Sequence, residues 1–404
     1  MYARADDEQY DEYEQFRGSA GDVRDPYPDL AEKLAQCPVH HQGSDFLGRD
    51  TYWVLGHQAV ERVLRDHETF SSSINDETMG PYMGTTMLAM DGEEHHKHRS
   101  VVAKAFRASA LERWGEELVG PTVHRMIDEF ASRGRADLVR ELTMQYPVQV
   151  IAGIIGIPVD DFPQFQAWAL DINDGPMDPE RSLKAGAELR AYLKPILDDR
   201  REHPQEDLVS DLLHAEVDGH RLDDDHIYGF LCLLIPAGAE TTYRLLGNLL
   251  FALLTQPDAL DEVRADRDLI PQAVEETLRW ETSVLMVNRT TTHDDEIGGV
   301  TIPTGANLLI STASANHDAG RYDRADEWDL HRAPVPHLAF GTGRHMCLGM
   351  HLARLELRVA LNALLDRLPG LRLDPDAGDV HVHGFAFRSP TSLPVRFEPQ
   401  PVTR

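Results

Sequence analysis

The chain contains 404 residues, of which 42% are hydrophobic and 26% are charged, and its formal net charge is −29. This composition is typical of a globular protein with enough apolar material for a large core. So acidic a chain excludes nucleic-acid binding through its overall electrostatic field. A polar N-terminus and the lack of a run of about 18 apolar residues predict neither a signal peptide nor a membrane anchor. Three cysteines are too few for a disulfide framework, which favours a reducing cytoplasm.

The predicted elements are mostly helices with a small β portion near the C-terminal end, so the predicted fold class is mainly α. The chain begins with a loosely held arm at 1–25, a strand at 51–55, a helix at 57–66 and a loop at 79–90. Further helices are predicted at 111–132, 147–157, 183–202, 223–255, 260–266, 269–279 and 348–365. Extended segments are predicted at 295–302, 306–311 and 380–397. Because no linker rich in Gly, Ser or Pro interrupts the chain, we predict a single domain spanning 1–404, and a monomer.

The predicted helix at 223–255 begins at three consecutive aspartates and is apolar on nearly all sides, so it should be buried. Pro236 cannot donate a helical hydrogen bond and predicts a kink. Residues 237–242 then read Ala-Gly-Ala-Glu-Thr-Thr. A carboxylate and two hydroxyls inside an apolar helix are costly unless they have partners or a purpose, so Glu240 and Thr241 are candidate catalytic residues. The alternative is a threonine hydroxyl bonded back to its own helix and a glutamate at the surface.

Residues 340–349 place Cys347 in a glycine-rich loop just before a predicted helix. The glycines let backbone N–H groups approach the sulfur without a Cβ in the way. The helix directs its positive N-terminal end at the same sulfur. Both effects predict a lowered pKa of the Cys347 thiol. A thiolate here can hold a haem iron from one side, and the alternative is a small buried hydrophobic side chain.

This loop resembles the haem-binding loop of the cytochrome P450 family, whose bacterial pattern is Phe-Gly-x-Gly-x-His-x-Cys-x-Gly. The fixed positions of the pattern are filled by Phe340, Gly341, Gly343, His345, Cys347 and Gly349. The resemblance implies the cytochrome P450 fold and haem b as cofactor. It makes Cys347 the iron ligand, which pushes electron density towards a bound dioxygen.

Residues 237–242 resemble the oxygen-activation motif of the same family, which reads small residue, Gly, any residue, an acid, then Thr. The resemblance implies that Ala237 and Gly238 adjoin the haem, while Glu240 and Thr241 deliver protons as O2 is activated. Glu276 and Arg279 resemble the family's Glu-x-x-Arg pair, with Arg332 as the candidate third partner. The implied role of that trio is structural.

Haem propionates need cations, and residues 91–99 resemble the family segment Asp-x-Pro-Glu-His-x-x-x-Arg, with Glu93 at the proline position. The resemblance implies that the propionates are bound by His95, Arg99, Arg289 and His345. One alternative is a zinc or nickel site formed by His95, His96 and His98. Another is that these histidines lie at the surface without a ligand.

The implied reaction inserts one oxygen atom from O2 into a hydrophobic small organic substrate, by hydroxylation or O-dealkylation. Electrons would come from NAD(P)H through a reductase and a ferredoxin or flavodoxin. Candidate pocket residues are Leu233, Leu234, Ala237, Val284, Leu285, Met286, Val287, Phe385 and Phe387. Candidate docking cations are Lys97, Lys104, Arg107, Arg344, Arg354 and Arg358. Two alternatives stay open at this point: phenol coupling or desaturation by the same cofactor, and a non-catalytic haem-binding or sensor protein.

Overall fold

The computed structural model describes residues 23–45, 48–173, 175 and 178–401. Most of the predicted arm at 1–25 lies outside these residues. Within them the structure is mainly helical with a small β portion, as predicted.

The helices are numbered here in chain order. They are α1 Tyr27–Gln36, α2 His57–Arg65, α3 Ile74–Thr78, α4 Gly80–Met83, α5 Gly92–Ala105, α6 Ala108–Trp114, α7 Gly120–Asp128, α8 Tyr146–Ile155, α9 Phe162–Asn173, α10 Pro179–Glu202, α11 Leu208–His214, α12 Asp224–Thr255, α13 Pro257–Ala265, α14 Ile270–Trp280, α15 Thr312–Asn316 and α16 Met350–Arg367. Two π-helical segments, Gly115–Val119 and Val139–Thr143, and four short 3-10 turns, Ala131–Arg133, Val159–Asp161, Arg267–Leu269 and Gly343–His345, complete the helical part of the described chain.

The strands form four small sheets within the described residues. They are β1 Val39–Ser44, β2 Asp50–Val54, β3 Phe70–Ser71, β4 Arg135–Asp137, β5 Met286–Thr291, β6 Asp295–Ile297, β7 Val300–Ile302, β8 Asn307–Ser311, β9 Arg372–Leu373, β10 Val382–His383, β11 Ser389–Pro390 and β12 Pro394–Arg396. The largest sheet has the order β1-β2-β8-β5-β3, in which only β2 and β8 run parallel. The others are the three-stranded sheet β4-β12-β9 and the hairpins β6-β7 and β10-β11.

Helix α12 is the central element of the molecule, and it confirms the predicted buried helix. Its N-cap is Asp223, whose carboxylate accepts the backbone N–H of His226 at 2.9 Å and satisfies one of the free donors of the first turn. Apolar residues on all sides are buried, and the helix runs unbroken past Pro236. It packs against α8, α14 and α16, so the chain on both sides of it forms one large hydrophobic cluster.

The predicted helix at 111–132 is divided by the π segment Gly115–Val119, where Gly115 packs closely on Leu355 of α16. The sequence pattern gave no helix at α9 or α11. Helix α11 has only seven residues, and its stability comes from the Asp207 cap and from burial of Leu208 rather than from a long periodic pattern. Tertiary packing therefore decided these elements.

The predicted loop at 79–90 contains the short helix α4 and lies directly on two longer helices. A Cβ at Gly186 of α10 would come within 2.3 Å of the Tyr82 carbonyl oxygen. A Cβ at Gly229 of α12 would come within 2.1 Å of the Thr85 carbonyl oxygen. Backbone can approach backbone this closely only where no side chain intervenes, so the two glycines fix where this loop packs.

Among the helices of the described ranges, none is both long and apolar enough to cross a bilayer.

Candidate active site

The loop before α16 has the conformation that its glycines predict. Gly341 and Gly343 have φ values of 67° and 74°, in the left-handed region that favours glycine. A Cβ at Gly343 would lie 2.7 Å from the carbonyl oxygen of Leu64, so the loop is pressed against the end of α2. The backbone N–H of Cys347 donates to the carbonyl of Phe340 at 2.9 Å and closes the loop. This closure holds Cys347 at the N-terminal end of α16.

The Cys347 side chain is accessible to solvent, yet surrounding protein atoms desolvate its thiol. Burial raises the pKa of Cys347, although the backbone N–H groups of Gly349 and Met350 and the charges of Arg99 and Arg354 oppose the rise. The prediction of a lowered thiol pKa is therefore wrong in sign. The predicted interactions of the loop are present, but desolvation of the charged form outweighs them.

One stretch of α12 is open to solvent in the middle of an otherwise buried helix. Ala237 is exposed and Thr241 is partly exposed. The Thr241 hydroxyl donates to the Ala237 carbonyl at 2.7 Å, one turn back along the helix. Gly238 packs against α8, where an added Cβ would lie 2.6 Å from Cδ1 of Ile151. The structure thus places Ala237 and Thr241 on the open side and Gly238 in a close helix contact.

The alternative considered for this motif is half right: the Thr241 hydroxyl does bond back to its own helix, but Glu240 does not lie at the surface. It is 8% exposed, and its Oε1 accepts a hydrogen bond from Nη2 of Arg244 at 2.7 Å. Arg244 itself is 3% exposed. The sequence analysis missed Arg244, although an acid and an arginine four residues apart on a predicted helix are the spacing of an ion pair.

Four of the predicted propionate-binding side chains are gathered near the Cys347 loop. Arg289 is 5% exposed, burial lowers its pKa to about 10, and its guanidinium donates only to the carbonyl of Asn288 among the described residues. The rings of His95 and His345 are in contact at a tilted angle, with centroids 4.1 Å apart. Arg99 donates to the Met346 carbonyl in the loop. The structure therefore brings together side chains that lie up to 250 residues apart in the sequence.

Asp91 organises this group and was not singled out from the sequence. Its Oδ2 accepts hydrogen bonds from the Ser71 hydroxyl at 2.6 Å and the Ser72 N–H at 2.9 Å, and its Oδ1 lies 3.5 Å from Nε2 of His345. Burial alone would raise the pKa of Asp91, but the hydrogen bonds from His345, Ser71 and Ser72 lower it to about 2. The signal was available, since Asp91 is the first residue of the family segment.

Burial lowers the pKa of both histidines, which favours their neutral forms. Burial, reinforced by the charges of His345 and Arg99, lowers the pKa of His95 to about 3, and its Nε2 is buried without a hydrogen-bond partner in the described chain. Burial also lowers the pKa of His345, against the opposing carboxylate of Asp91. A buried ring nitrogen without a hydrogen-bond partner is energetically unfavourable. The unpaired Nε2 of His95 therefore indicates that a bound group supplies the missing hydrogen bond.

The zinc or nickel alternative finds no support. Nowhere in the described ranges do three or more His, Cys, Asp or Glu side chains form a group that could hold a metal ion. His98 instead forms a hydrogen bond with the carbonyl of Glu94, and its ring meets that of His226 at a tilted angle with centroids 4.3 Å apart. His96 is exposed.

The Glu276–Arg279 pair is buried and bidentate, with N–O distances of 2.8 and 2.9 Å. Arg332 donates to Oε1 of Glu276 at 2.9 Å, as the resemblance implied. Arg279 also donates to the carbonyls of Asn316, Ala325 and Glu327, so the trio fastens the segment before the Cys347 loop.

The predicted pocket residues divide into two groups. Leu285 is fully buried in a cluster with Tyr27 and Leu55, so it faces the N-terminal segment rather than an open cavity. Val284 instead forms a β-bridge with Phe387 of the C-terminal hairpin region. Neighbouring residues in an extended segment point to opposite faces, which explains why Val284 and Leu285 have different surroundings.

A surface groove of about 820 Å³ lies beside the first turns of α16. It is lined by Phe106, Ala108, Leu111, Glu112, Gly115, Glu116, Pro271, Val274, Glu275, His351, Arg354, Leu355, Arg358 and Val359. Arg354 acts electrostatically on Cys347, so the groove lies on the α16 side of that residue. Within it, Arg354 is bound bidentately by Glu275 at 2.6 and 2.8 Å.

Comparisons with known proteins identify the family. The family model described as Cytochrome P450 matches residues 176–371. The cytochrome P450 monooxygenase PikC of Streptomyces venezuelae is 34% identical over 387 residues, which cover 92% of this chain and 91% of PikC. The chain belongs to the cytochrome P450 family. This P450 also matches the solved structure of CYP109Q5 from Chondromyces apiculatus, with a TM-score of 0.85, 33% identity and coverage of 93% and 96% of the two chains.

A second solved structure, CYP109E1 from Bacillus megaterium in complex with testosterone, matches this P450 with a TM-score of 0.83 and 29% identity, covering 93% and 99% of the two chains. The family membership confirms the predicted fold and an oxygen-incorporating oxidoreductase activity. It also sets aside the alternative of a non-catalytic sensor. The family implies haem and O2.

The residues of the site fit a haem by their own chemistry. The Cys347 sulfur is accessible and is approached by two backbone N–H groups. The buried guanidinium of Arg289 and the unpartnered Nε2 of His95 match the need of propionates for cations and hydrogen-bond donors. A thiolate, a cation and a buried donor are the set that this cofactor requires.

Proposed function

We propose that this P450 is a haem-thiolate monooxygenase that inserts one oxygen atom from O2 into a hydrophobic small organic substrate, by hydroxylation or O-dealkylation. Electrons reach it from NAD(P)H through a separate reductase and a ferredoxin or flavodoxin. The observation that carries the proposal is the accessible Cys347 sulfur at the N-terminus of α16, with backbone N–H groups of Gly349 and Met350 directed at it.

The cofactor in this proposal is haem b, held by Cys347 at the iron and by Arg99, Arg289, His95 and His345 at the propionates. When bound, it supplies the iron at which O2 is reduced and cleaved. Coordination removes the proton that burial otherwise keeps on the Cys347 thiol. Phe340, Gly341 and Gly349 hold the loop that carries the sulfur.

Proton delivery is assigned to Thr241 and Glu240. The Thr241 hydroxyl donates its own hydrogen to the Ala237 carbonyl, which leaves the oxygen lone pairs as acceptors for a proton-carrying water. Glu240, the next residue along the helix, relays protons from solvent through water as a general acid. The opening beside Ala237 gives that water a place on the same side of α12.

The substrate class follows from apolar side chains that the sequence predicted to line the pocket. Leu234, Val284 and Phe387 carry no charge and favour a hydrophobic molecule. CYP109E1, a relative whose solved structure contains testosterone, supports the same class. Phenol coupling or desaturation would use the same residues, and analysis of the products separates these reactions from insertion.

The test of the proposal is a Cys347→His variant. In the parent protein, the reduced holoprotein with carbon monoxide should have the long-wavelength Soret band that is typical of thiolate-ligated haem. The variant should lose that band while it retains bound haem, because imidazole then replaces the thiolate. A Cys37→Ser variant is the matched control and should keep the band. An unchanged band in Cys347→His would refute the ligand assignment.

A further inference from the structure

Arg244 holds the carboxylate of Glu240 in a buried ion pair on α12. The N–O distance is 2.7 Å, and the two residues are 3% and 8% exposed. The residues are four apart, so they lie on the same face of the helix. Taking either partner away would leave a buried charge without its counter-charge, which is strongly unfavourable. The pair therefore fixes the direction of the Glu240 carboxylate.

The same guanidinium contacts the C-terminal hairpin. Nη1 of Arg244 donates to the hydroxyl of Ser389 at 3.4 Å, and the guanidinium carbon lies 5.5 Å from the ring centroid of Phe387. Gly247, one turn further along α12, lets Pro390 approach to ordinary contact distance. Arg244 is thus anchored at both ends, by the acid on its own helix and by the hairpin.

The direction in which Arg244 holds Glu240 matters for the neighbouring threonine. Successive residues on a helix are about 100° apart around its axis. The Glu240 side chain points to buried protein and the Thr241 hydroxyl lies towards the open side. A Glu240 carboxylate bound to Arg244 can therefore reach water beside Thr241 only by loosening that ion pair.

We propose that Arg244 is a positioning residue for proton delivery, which keeps the Glu240 carboxylate directed at the hairpin until the carboxylate takes a proton from water. A neutral Glu240 loses most of its attraction to Arg244 and is free to pass the proton towards Thr241. Each proton that leaves Glu240 is replaced by one from bulk water, and no electron moves in the step. The inference rests on the proposed function, because it presumes that Glu240 relays protons.

The experiment compares Arg244→Met, Arg244→Lys, Glu240→Gln and the double variant Glu240→Gln/Arg244→Met as holoproteins. The first readout is the infrared carbonyl band of a neutral carboxylic acid at neutral pH, which needs no turnover. Relative to the parent, Arg244→Met should gain such a band, and the double variant should not gain it. The parent and Arg244→Lys should not have the Glu240 band, because both keep a cation beside the carboxylate.

The second readout is hydrogen peroxide released per NAD(P)H consumed, measured with surrogate redox partners. Arg244→Met should raise this ratio about tenfold and change its pH dependence, while Arg244→Lys should restore most of the coupling. Arg190→Met is the matched control, since Arg190 pairs with Asp225 of α12 at the surface. That control should behave as the parent.

The outcomes separate this inference from the proposed function. If the parent lacks the thiolate band with carbon monoxide, the proposed function fails whatever Arg244 does. If the parent has that band and Glu240→Gln releases more peroxide while Arg244→Met does not, only the role of Arg244 is refuted. Equal losses in Arg244→Met and Arg244→Lys without a new infrared band would make Arg244 a merely structural residue and also overturn the inference.

Discussion

One carboxylate, Asp91, connects several segments beside the Cys347 loop. It bonds to Ser71 and Ser72 and lies near His345, so a single acid links the β3 end, the start of α5 and the cysteine loop. Its lowered pKa keeps it ionised throughout the physiological range. Asp91 also acts electrostatically on Arg289, so its negative charge partly compensates the buried guanidinium.

Glu356 is the opposite case, a buried acid without a cation. It lies on α16, is 1% exposed, and its Oε2 has no hydrogen-bond partner among the described residues. Burial raises the pKa of Glu356 well above its usual value of 4.5. Above that pH the folded protein binds more protons at this site than the unfolded chain, so this site lowers stability progressively as the pH rises.

A Glu356→Gln variant should therefore be more stable than the parent at neutral pH, by about 1–3 kcal/mol. The amide keeps the shape of the side chain and cannot ionise. The difference should shrink as the pH falls and vanish near about pH 4, where the unfolded carboxyl is protonated as well. Urea unfolding of the holoproteins at several pH values measures it.

Glu117→Gln is the control for this comparison, because Glu117 is exposed and should leave stability nearly unchanged. A Glu356→Gln variant that is less stable than the parent at every pH would contradict the assignment of a costly buried acid.

At the scale of elements, glycines decide how the loop at 79–90 is held. The sequence predicted this loop from its composition, but nothing in it indicated that Gly186 and Gly229 receive the Tyr82 and Thr85 carbonyls. Each contact joins elements that are about 100 residues or more apart. Such pairing depends on how α10 and α12 are oriented, which a local pattern cannot encode.

Gly229→Ala should consequently destabilise the protein by about 1–3 kcal/mol, because its Cβ would come within 2.1 Å of a backbone oxygen. Gly247→Ala is a matched control on the same helix. Its Cβ would lie 3.4 Å from Pro390, so the gain in helix propensity should leave it as stable as the parent or up to about 1 kcal/mol more stable. Thermal unfolding and hydrogen exchange of residues 79–90 measure both effects. Equal behaviour of the two variants would mean that the loop adjusts without cost.

At the scale of the whole molecule, the net charge of −29 repels an acidic electron donor at long range. The predicted docking cations are largely engaged within the protein. Lys97 pairs with Glu93 at 2.7 Å, and Arg354 pairs with Glu275. Arg358 differs, because it is exposed in the groove beside α16 and its guanidinium forms no ion pair with any described residue.

Arg358→Ala should accordingly raise the KM for a reduced ferredoxin by roughly threefold to tenfold and leave kcat nearly unchanged, since a charge at the rim mainly affects encounter. The effect should shrink at high salt, where charges are screened beyond about 3 Å. Steady-state kinetics with the donor varied, at two salt concentrations, measures it. Lys184→Ala on α10 is the control at an exposed site. If both variants behave alike, the groove is not the docking site.

The sequence by itself identified the family motifs of this P450 and its central helix. Cys347, Glu240 and Thr241 stand in short motifs whose residue types and spacing carry their meaning locally, and α12 follows from an uninterrupted apolar run with an aspartate cap. Tertiary structure alone decided the pairing of Glu240 with Arg244 and the hairpin, the role of Asp91, and the raised pKa of the Cys347 thiol. Burial and the distance between charges set these properties, and both depend on how distant segments pack rather than on neighbours in the chain.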